Sequence, residues 1–265
     1  GEINAETGTY NFPSLSVGDL YAPNVVPYAD YRNDNRIIYV AAEVASGVSE
    51  PSDDNSGDSW SFPLRTLSEA LRRVPQSFKG TVEILAASGQ TFDEDIEVSG
   101  FSGGGTLIIR KSSSTTRAKV AGSVKIVSNE NFVEWRDINL DSTDAYAGFF
   151  CRGSEGIISN SNINGASGDS AFAINVNSGA NFEIYDVAHS NCKSAVRASY
   201  GGVAFVSENT GSVSEVAFVA FGGGIVAGGG TAPTGAGGNT SQIQGGQVTG
   251  SWTFPTPPTA PTPIA

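Results

Sequence analysis

The sequence predicts an all-β fold, a solenoid of stacked parallel coils, and three observations carry that reading. Short apolar or β-branched segments recur at nearly constant spacing, glycine fills 33 of 265 positions, and charge is sparse and uneven. The segments run from Val82-Glu83-Ile84-Leu85, Thr106-Leu107-Ile108-Ile109 and Asn131-Phe132-Val133 to Gly224-Ile225-Val226 and Gln247-Val248-Thr249. With Ile84, Ile108, Phe132, Ile157, Phe182, Val203, Ile225 and Val248 as anchors, the spacings are 24, 24, 25, 25, 21, 22 and 23. A second series, Phe149, Ala173, Ala195 and Ala217, runs eight or nine residues ahead of the first. Two or three short strands in each period fit one coil, whose inner face is buried only when coils stack. Leucine-rich repeats would carry a fixed Leu/Asn pattern, which is absent. A sandwich would show frequent hairpin dipeptides, and Asn164-Gly165 stands alone.

Residues 1–58 read as an extended N-terminal segment, with a strand at Arg36–Ala41 and an acidic loop from Ser49 to Ser59. The solenoid is placed at 59–250 and begins with a helix over about 67–74. Thr66 and Glu69 have capping-box spacing, Leu67, Ala70, Leu71 and Val74 form an apolar stripe, and Pro75 stops the helix. Such a helix is expected to cap the first coil, whose strand edges would otherwise invite aggregation. Ser159 to Asn164 and Asn175-Val176-Asn177 supply corners, since Asn tolerates left-handed backbone angles. Residues 251–265 are a Pro-rich tail, extended as polyproline II over 254–263. The tail reads either as a linker to a further domain or as a strap onto a neighbouring subunit, the second favoured because Trp252 and Phe254 give it something to bury.

Net charge is −12 and the pI about 4.4, which argues against nucleic acid or an anionic membrane as partner. No apolar run reaches the roughly eighteen residues of a membrane span, and no signal peptide is visible. Of the acidic residues, 21 lie in 1–146 and 6 in 147–265, and the last fifty residues carry no charge at all. An uncharged Gly-rich stretch points to packing and assembly rather than to a solvated tail.

The stretch Phe62 to Leu71, followed by Gly80-Thr81-Val82-Glu83-Ile84 and Ser88 to Glu94, resembles the pectate-lyase-like superfamily. Its members are right-handed parallel β-helices. In the turn, Gly89 and Phe92 stand one residue further apart than in the family, and Phe replaces Tyr. Ile96-Glu97-Val98-Ser99-Gly100-Phe101-Ser102-Gly103-Gly104 and Ala198 to Val203 look like β-helical tail proteins of bacteriophages. The resemblance covers about residues 60–250 and implies fold more strongly than activity.

No residue is assigned a catalytic, cofactor or metal role. The esterase motifs of the superfamily are missing. Arg136, Asp137, Asp141, Asp144 and Arg152 are the nearest concentration of lyase- or hydrolase-type groups and are read as solvated corner residues. The same holds for Asp93, Glu94, Asp95 and Glu97, and for Asp53, Asp54 and Asp58, which lack calcium-loop spacing. His189 is the one histidine, which excludes multi-His zinc sites. Cys151 and Cys192 read as small buried thiols, and Trp60, Trp135 and Trp252 as core or interface residues.

The resemblance and the uncharged end together lead to the expectation of a structural, receptor-binding phage virion component of tail-fibre or tail-spike type. Its expected partners are two further copies in a homotrimer, other tail or baseplate proteins, and host-surface polysaccharide, with no nucleic acid, membrane insertion or cofactor. The alternatives are a polysaccharide lyase or hydrolase on the same fold and a bacterial surface adhesin.

Overall fold

The structure is a computed structural model that describes residues 35–112, 115–144, 146–165 and 172–254. The expected extended segment before residue 35 and the polyproline tail from residue 255 lie outside the described residues. Within them the chain winds as a parallel β-solenoid with three faces. Face A stacks Arg36–Val40, Thr81–Ala86, Thr106–Lys111, Phe132–Arg136, Glu155–Gly165, Asn181–Ser190, Val203–Ser207, Ile225–Thr231 and Gln247–Thr253. Face B holds Thr91–Phe92, Ala118–Gly122, Ile138–Ser142, the second halves of Glu155–Gly165 and Asn181–Ser190, Thr210–Val213 and Thr234–Gly235. Face C stacks seven strands, Ile96–Ser99, Val124–Val127, Ala147–Arg152, Phe172–Asn177, Ser194–Ser199, Val216–Phe221 and Gly238–Ile243. Each passage through faces A, B and C is one coil, seven in all, numbered here by their face C strands.

Parallel pairing sets equivalent residues side by side. One inward column on face A runs Val82, Leu107, Val133, Gly156, Phe182, Ala204, Val226 and Val248. Only Phe182 and Val248 of the sequence anchors belong to it. Ile108, Phe132, Ile157, Val203 and Ile225 take outward register positions, and in the row of Ile108 and Ile157 the apolar residues alternate with Glu83, Glu134 and Glu183. The spacing holds, and the anchors divide between the inward and outward sides of face A. Gly156 sits next to Phe182 in this column, where a Cβ would come 2.9 Å from the Phe182 ring and 2.0 Å from the Val133 carbonyl oxygen.

Corners are made by left-handed residues. Asp137, Asn160, Asp186 and Glu208, with φ of 57°, 49°, 54° and 49°, bend the chain from face A to face B. From face C back to face A, Ser178-Gly179, Tyr200-Gly201, Gly222-Gly223 and Gln244-Gly245 have positive φ at both positions. Each pair is closed by a backbone bond across it, such as Gly202 N to Ser199 O at 3.0 Å. Two consecutive left-handed residues define type I′ turns, and their steps of 22 residues fix the later coils' length.

The helix spans Leu67–Arg72 and buries Leu67, Ala70 and Leu71 against the first coil. Thr66 accepts from Glu69 N at 3.1 Å, one half of the predicted capping box. The other half is replaced: Thr66 N donates to Asp53 Oδ1 at 3.0 Å, while Glu69 pairs with Arg72 and Arg73 at 2.6 Å each. Burial pushes the Glu69 carboxyl up, but the bonds from Arg72 and Arg73 outweigh it and hold it below its usual value.

Candidate functional site

The five residues singled out between Arg136 and Arg152 do not converge. Arg136 lies on the outside of face A, where it pairs with Glu134. Asp137 forms a corner. Asp141, on face B, pairs with Lys119 at 2.9 Å. Asp144 lines an open cleft beside face C, and Arg152 ends the third face C strand, exposed. Strand alternation and the two intervening corners send neighbours in sequence to different sides of the coil.

The acidic turns have structural partners. Glu94 accepts from Leu67 N at 2.7 Å and Ser68 N at 3.0 Å, at the start of the helix, where negative charge is favoured. Asp53 accepts from Arg65 N and Thr66 N at 2.9 and 3.0 Å. Asp95 accepts from the Ser123 hydroxyl and amide, which hold its carboxyl below the usual range. Solvated edges were expected for these three; Asp95 is exposed but bonded to Ser123, while Glu94 and Asp53 are half-buried and brace the start of the helix. Among the described residues no three His, Cys, Asp or Glu side chains come together as metal ligands would.

His189 points into the core from face B, in the inward column of Phe92, Val120, Leu140 and Ile163. Asn209 fixes its tautomer. The Asn209 amide donates to Ile184 O and Ser207 O at 2.9 and 2.8 Å, so its Oδ1 receives the proton of His189 Nε2 at 2.9 Å. Burial pushes the imidazole pKa down to about 4, only partly opposed by that bond. It is a neutral core group at physiological pH. Cys151 and Cys192 are free and buried, as the sequence suggested, and burial raises both thiols, Cys192 to about 11. Trp135 is fully buried, donating to Ile138 O at 3.1 Å and meeting Phe149 edge-on at 5.4 Å. Trp60 packs on Tyr39, and Trp252 on Phe218 at 5.0 Å.

The chemistry-bearing surface is the outside of face C. A cleft of about 400 Å³ lies over its first three coils, with Glu97, Lys125, Asp144, Tyr146 and Phe150 on its walls. Tyr146, 46% exposed, stands at the margin, its ring edge-on to Phe172 at 5.7 Å. Its oxygen accepts from Asn175 Nδ2 at 3.1 Å and from an Arg197 Nη at 3.3 Å. Both lone pairs are thus engaged, and the hydroxyl proton is free to donate outward. The Arg197 guanidinium lies between two rings, 4.8 Å from the Phe172 centroid and 5.0 Å from that of Phe221. Aromatic faces hold a guanidinium by cation–π attraction while leaving its fork of donors available.

Arg197, Phe172 and Tyr146 were not singled out in the sequence, and Asn175 was read with Val176 and Asn177 as a corner, whereas the three lie inside the face C strand Phe172–Asn177 and none has a left-handed φ. Arg197 is separated from Phe172 by one coil and from Phe221 by another, so their meeting depends on register. The readable signal was negative: AGFFCR, FAINVN, SAVRAS, VAFVAF and GNTSQI, the last five face C strands, contain no Asp or Glu.

The chain matches no protein-family model, no curated protein and no solved structure.

Proposed function

We propose that the chain is a structural, receptor-binding component of a phage virion, of tail-fibre or tail-spike type, that binds host-surface polysaccharide along face C. The observation that carries the binding role is the Tyr146–Phe172–Arg197 cluster beside an open cleft. Flat rings, a free hydroxyl proton and a stacked cation are the groups that take up the apolar faces and the hydroxyls of sugars. The virion placement is supported by the resemblance of Ile96–Gly104 and Ala198–Val203 to phage tail proteins. Both stretches fall at corners from face C to face A. Assembly as a homotrimer is supported by two exposed apolar side chains on the outside of face A, Ile37 and Phe205, 42% and 47% exposed, in a row that also carries Glu83, Glu134 and Glu183. The uncharged last coil adds to that support.

Purified protein incubated with host-surface polysaccharide is expected to bind it and to leave its length unchanged. Tyr146→Ala should lower the affinity about tenfold, the effect of losing a ring contact and a hydrogen bond together. Retention of wild-type affinity by Tyr146→Ala would sink the face C assignment. A depolymerase reading has one observation in its favour, Glu97 and Asp144 on the walls of one cleft. New reducing ends or unsaturated products, abolished by Glu97→Gln or Asp144→Asn, would replace the binding reading with it.

A further inference from the structure

We infer that the outside of face A carries a dock for a basic segment of a protein partner, which sets an arginine side chain into a pocket beside Glu183. The inference goes beyond the glycan reading of face C and does not depend on it. Its starting point is a comparison within one row. Parallel register places Glu83, Glu134 and Glu183 in a single outward row, between Ile37, Ile108, Ile157 and Phe205.

Two of the three acids have an arginine from the adjoining outward row. Glu83 pairs with Arg110, one coil on and two residues along, and Glu134 pairs with Arg136 of its own strand. Both carboxylates are shielded in consequence, their side chains 17% and 12% exposed. Glu183 lacks either neighbour. Where Arg136 stands beside Glu134, Tyr185 stands beside Glu183, and the place of Arg110 is taken by Ser207. Among the described residues Glu183 makes no ion pair or side-chain hydrogen bond, and it is exposed.

An open pocket of about 130 Å³ stands where the missing arginine would lie, with Glu183, Tyr185, Phe205, Ser207 and Gly228 on its walls. A guanidinium entering it meets a carboxylate suited to a two-point contact and the rings of Tyr185 and Phe205. The fold already uses such a pairing of cation and rings. Arg197 lies 4.8 and 5.0 Å from the Phe172 and Phe221 centroids. Ile157 and Phe205 flank Glu183 in the row, and apolar contacts around a central charge pair exclude water from it.

Charge selects the occupant. Asp186 and Glu208 form the corners just beyond Tyr185 and Ser207, and the whole chain carries −12. A second copy would bring like charge to this place, whereas a basic segment is drawn to it.

Two pentapeptides test this by following the amide resonances of the full chain. One is acetyl-Leu-Gly-Arg-Gly-Leu-amide; the other carries citrulline, the neutral isostere, in place of arginine. When extended, each sets its central side chain and both leucines on one face. The arginine peptide is expected to shift the Ser207 and Gly228 amides saturably and to bind about tenfold more tightly than the citrulline peptide, with affinity falling as salt rises. Glu183→Gln should abolish that preference. Ser207→Arg, at an exposed position, should abolish binding by supplying from within the side chain that Arg110 supplies to Glu83. Equal affinity for the two peptides would overturn the inference, and so would no binding or shifts confined to other surfaces. Light scattering on the wild type and Glu183→Gln tests the other occupant. A trimer that Glu183→Gln dissociates would put the arginine on a neighbouring copy and overturn the separate partner. None of these outcomes touches the glycan reading, which stands or falls with Tyr146.

Discussion

The two halves of the solenoid are built to the same plan with different materials. In the first four coils the inward positions carry large side chains: Ile84, Ile109, Trp135 and Ile158 form one column of face A. That column continues as Ile184, Val206, Gly228 and Gly250. On face C the series Val98, Ile126, Cys151, Val176, Ala198 and Ala220 shrinks in the same direction, and its last position, Gln242, is exposed. The coil shortens in step. Leu107 to Val133 is a gap of 26 residues, whereas Phe182 to Ala204 and Ala204 to Val226 are each 22. A shorter coil encloses less volume, and smaller side chains fill it. The ends differ likewise. The first coil is closed by a helix tied down by Glu94, Asp53 and the Glu69 ion pairs, while Trp252 and Phe254 pack over Phe218 without any charge. Cooperative stability should therefore reside in the first half, and the second half should open first.

The comparison is broken most directly at Trp135. Replacement by Ala removes the largest fully buried side chain and its bond to Ile138 O, and should cost about 3–5 kcal/mol in urea unfolding. Val226→Ala, in a column that leads to the open end, should cost about 1–2 kcal/mol. Equal losses at the two sites would show that stability is spread evenly along the stack.

The period, the helix and some corners were legible in the sequence because each has a local chemical signature, although Asn175-Val176-Asn177, read as a corner, is strand. Ala70 and Leu71 recur on one helical face, and Asn160 and Gly179 mark backbone that other residues adopt at a cost. Phase and face were not legible. Ile157 and Ile158 look alike in sequence, yet one points out and the other in, and a one-residue slip exchanges them. The face C cluster was hidden for the same reason: Tyr146, Phe172, Arg197 and Phe221 are brought together by the register of three coil-to-coil pairings, not by any motif. The acids around Glu94 and Asp53 looked solvated because nothing local shows that their partners lie 26 or 27 residues and 12 or 13 residues away.

A smaller effect sharpens the boundary between the halves. His189 stands where its inward column passes from Ile163 to Gly211. The imidazole titrates at about 4 when folded against 6.5 when free, so the folded state resists taking up a proton. The contribution is constant well above pH 6.5, and stability is lost as pH falls through it, by roughly 1–2 kcal/mol between pH 6.5 and 5. His189→Gln keeps a donor for Asn209 Oδ1 but does not titrate, and should flatten the stability profile over that interval. An unchanged slope would mean that other groups control it.

The smallest expected change tests the closed end. Glu94 offers both carboxylate oxygens to the first turn of the helix, receiving Leu67 N, Ser68 N and the Ser68 hydroxyl, the last at 2.6 Å. Glu94→Ala leaves those amides to water and should cost about 1 kcal/mol, the usual value of a lost cap at a helix start. The loss should be local. Hydrogen exchange should quicken in Leu67–Arg72 and in Arg36–Val40, the first rung of face A, and remain unchanged in Ile225–Thr231 at the far end. Faster exchange at both ends would mean that the stack opens as one unit, and the division into a tight first half and a looser second half would have to be given up.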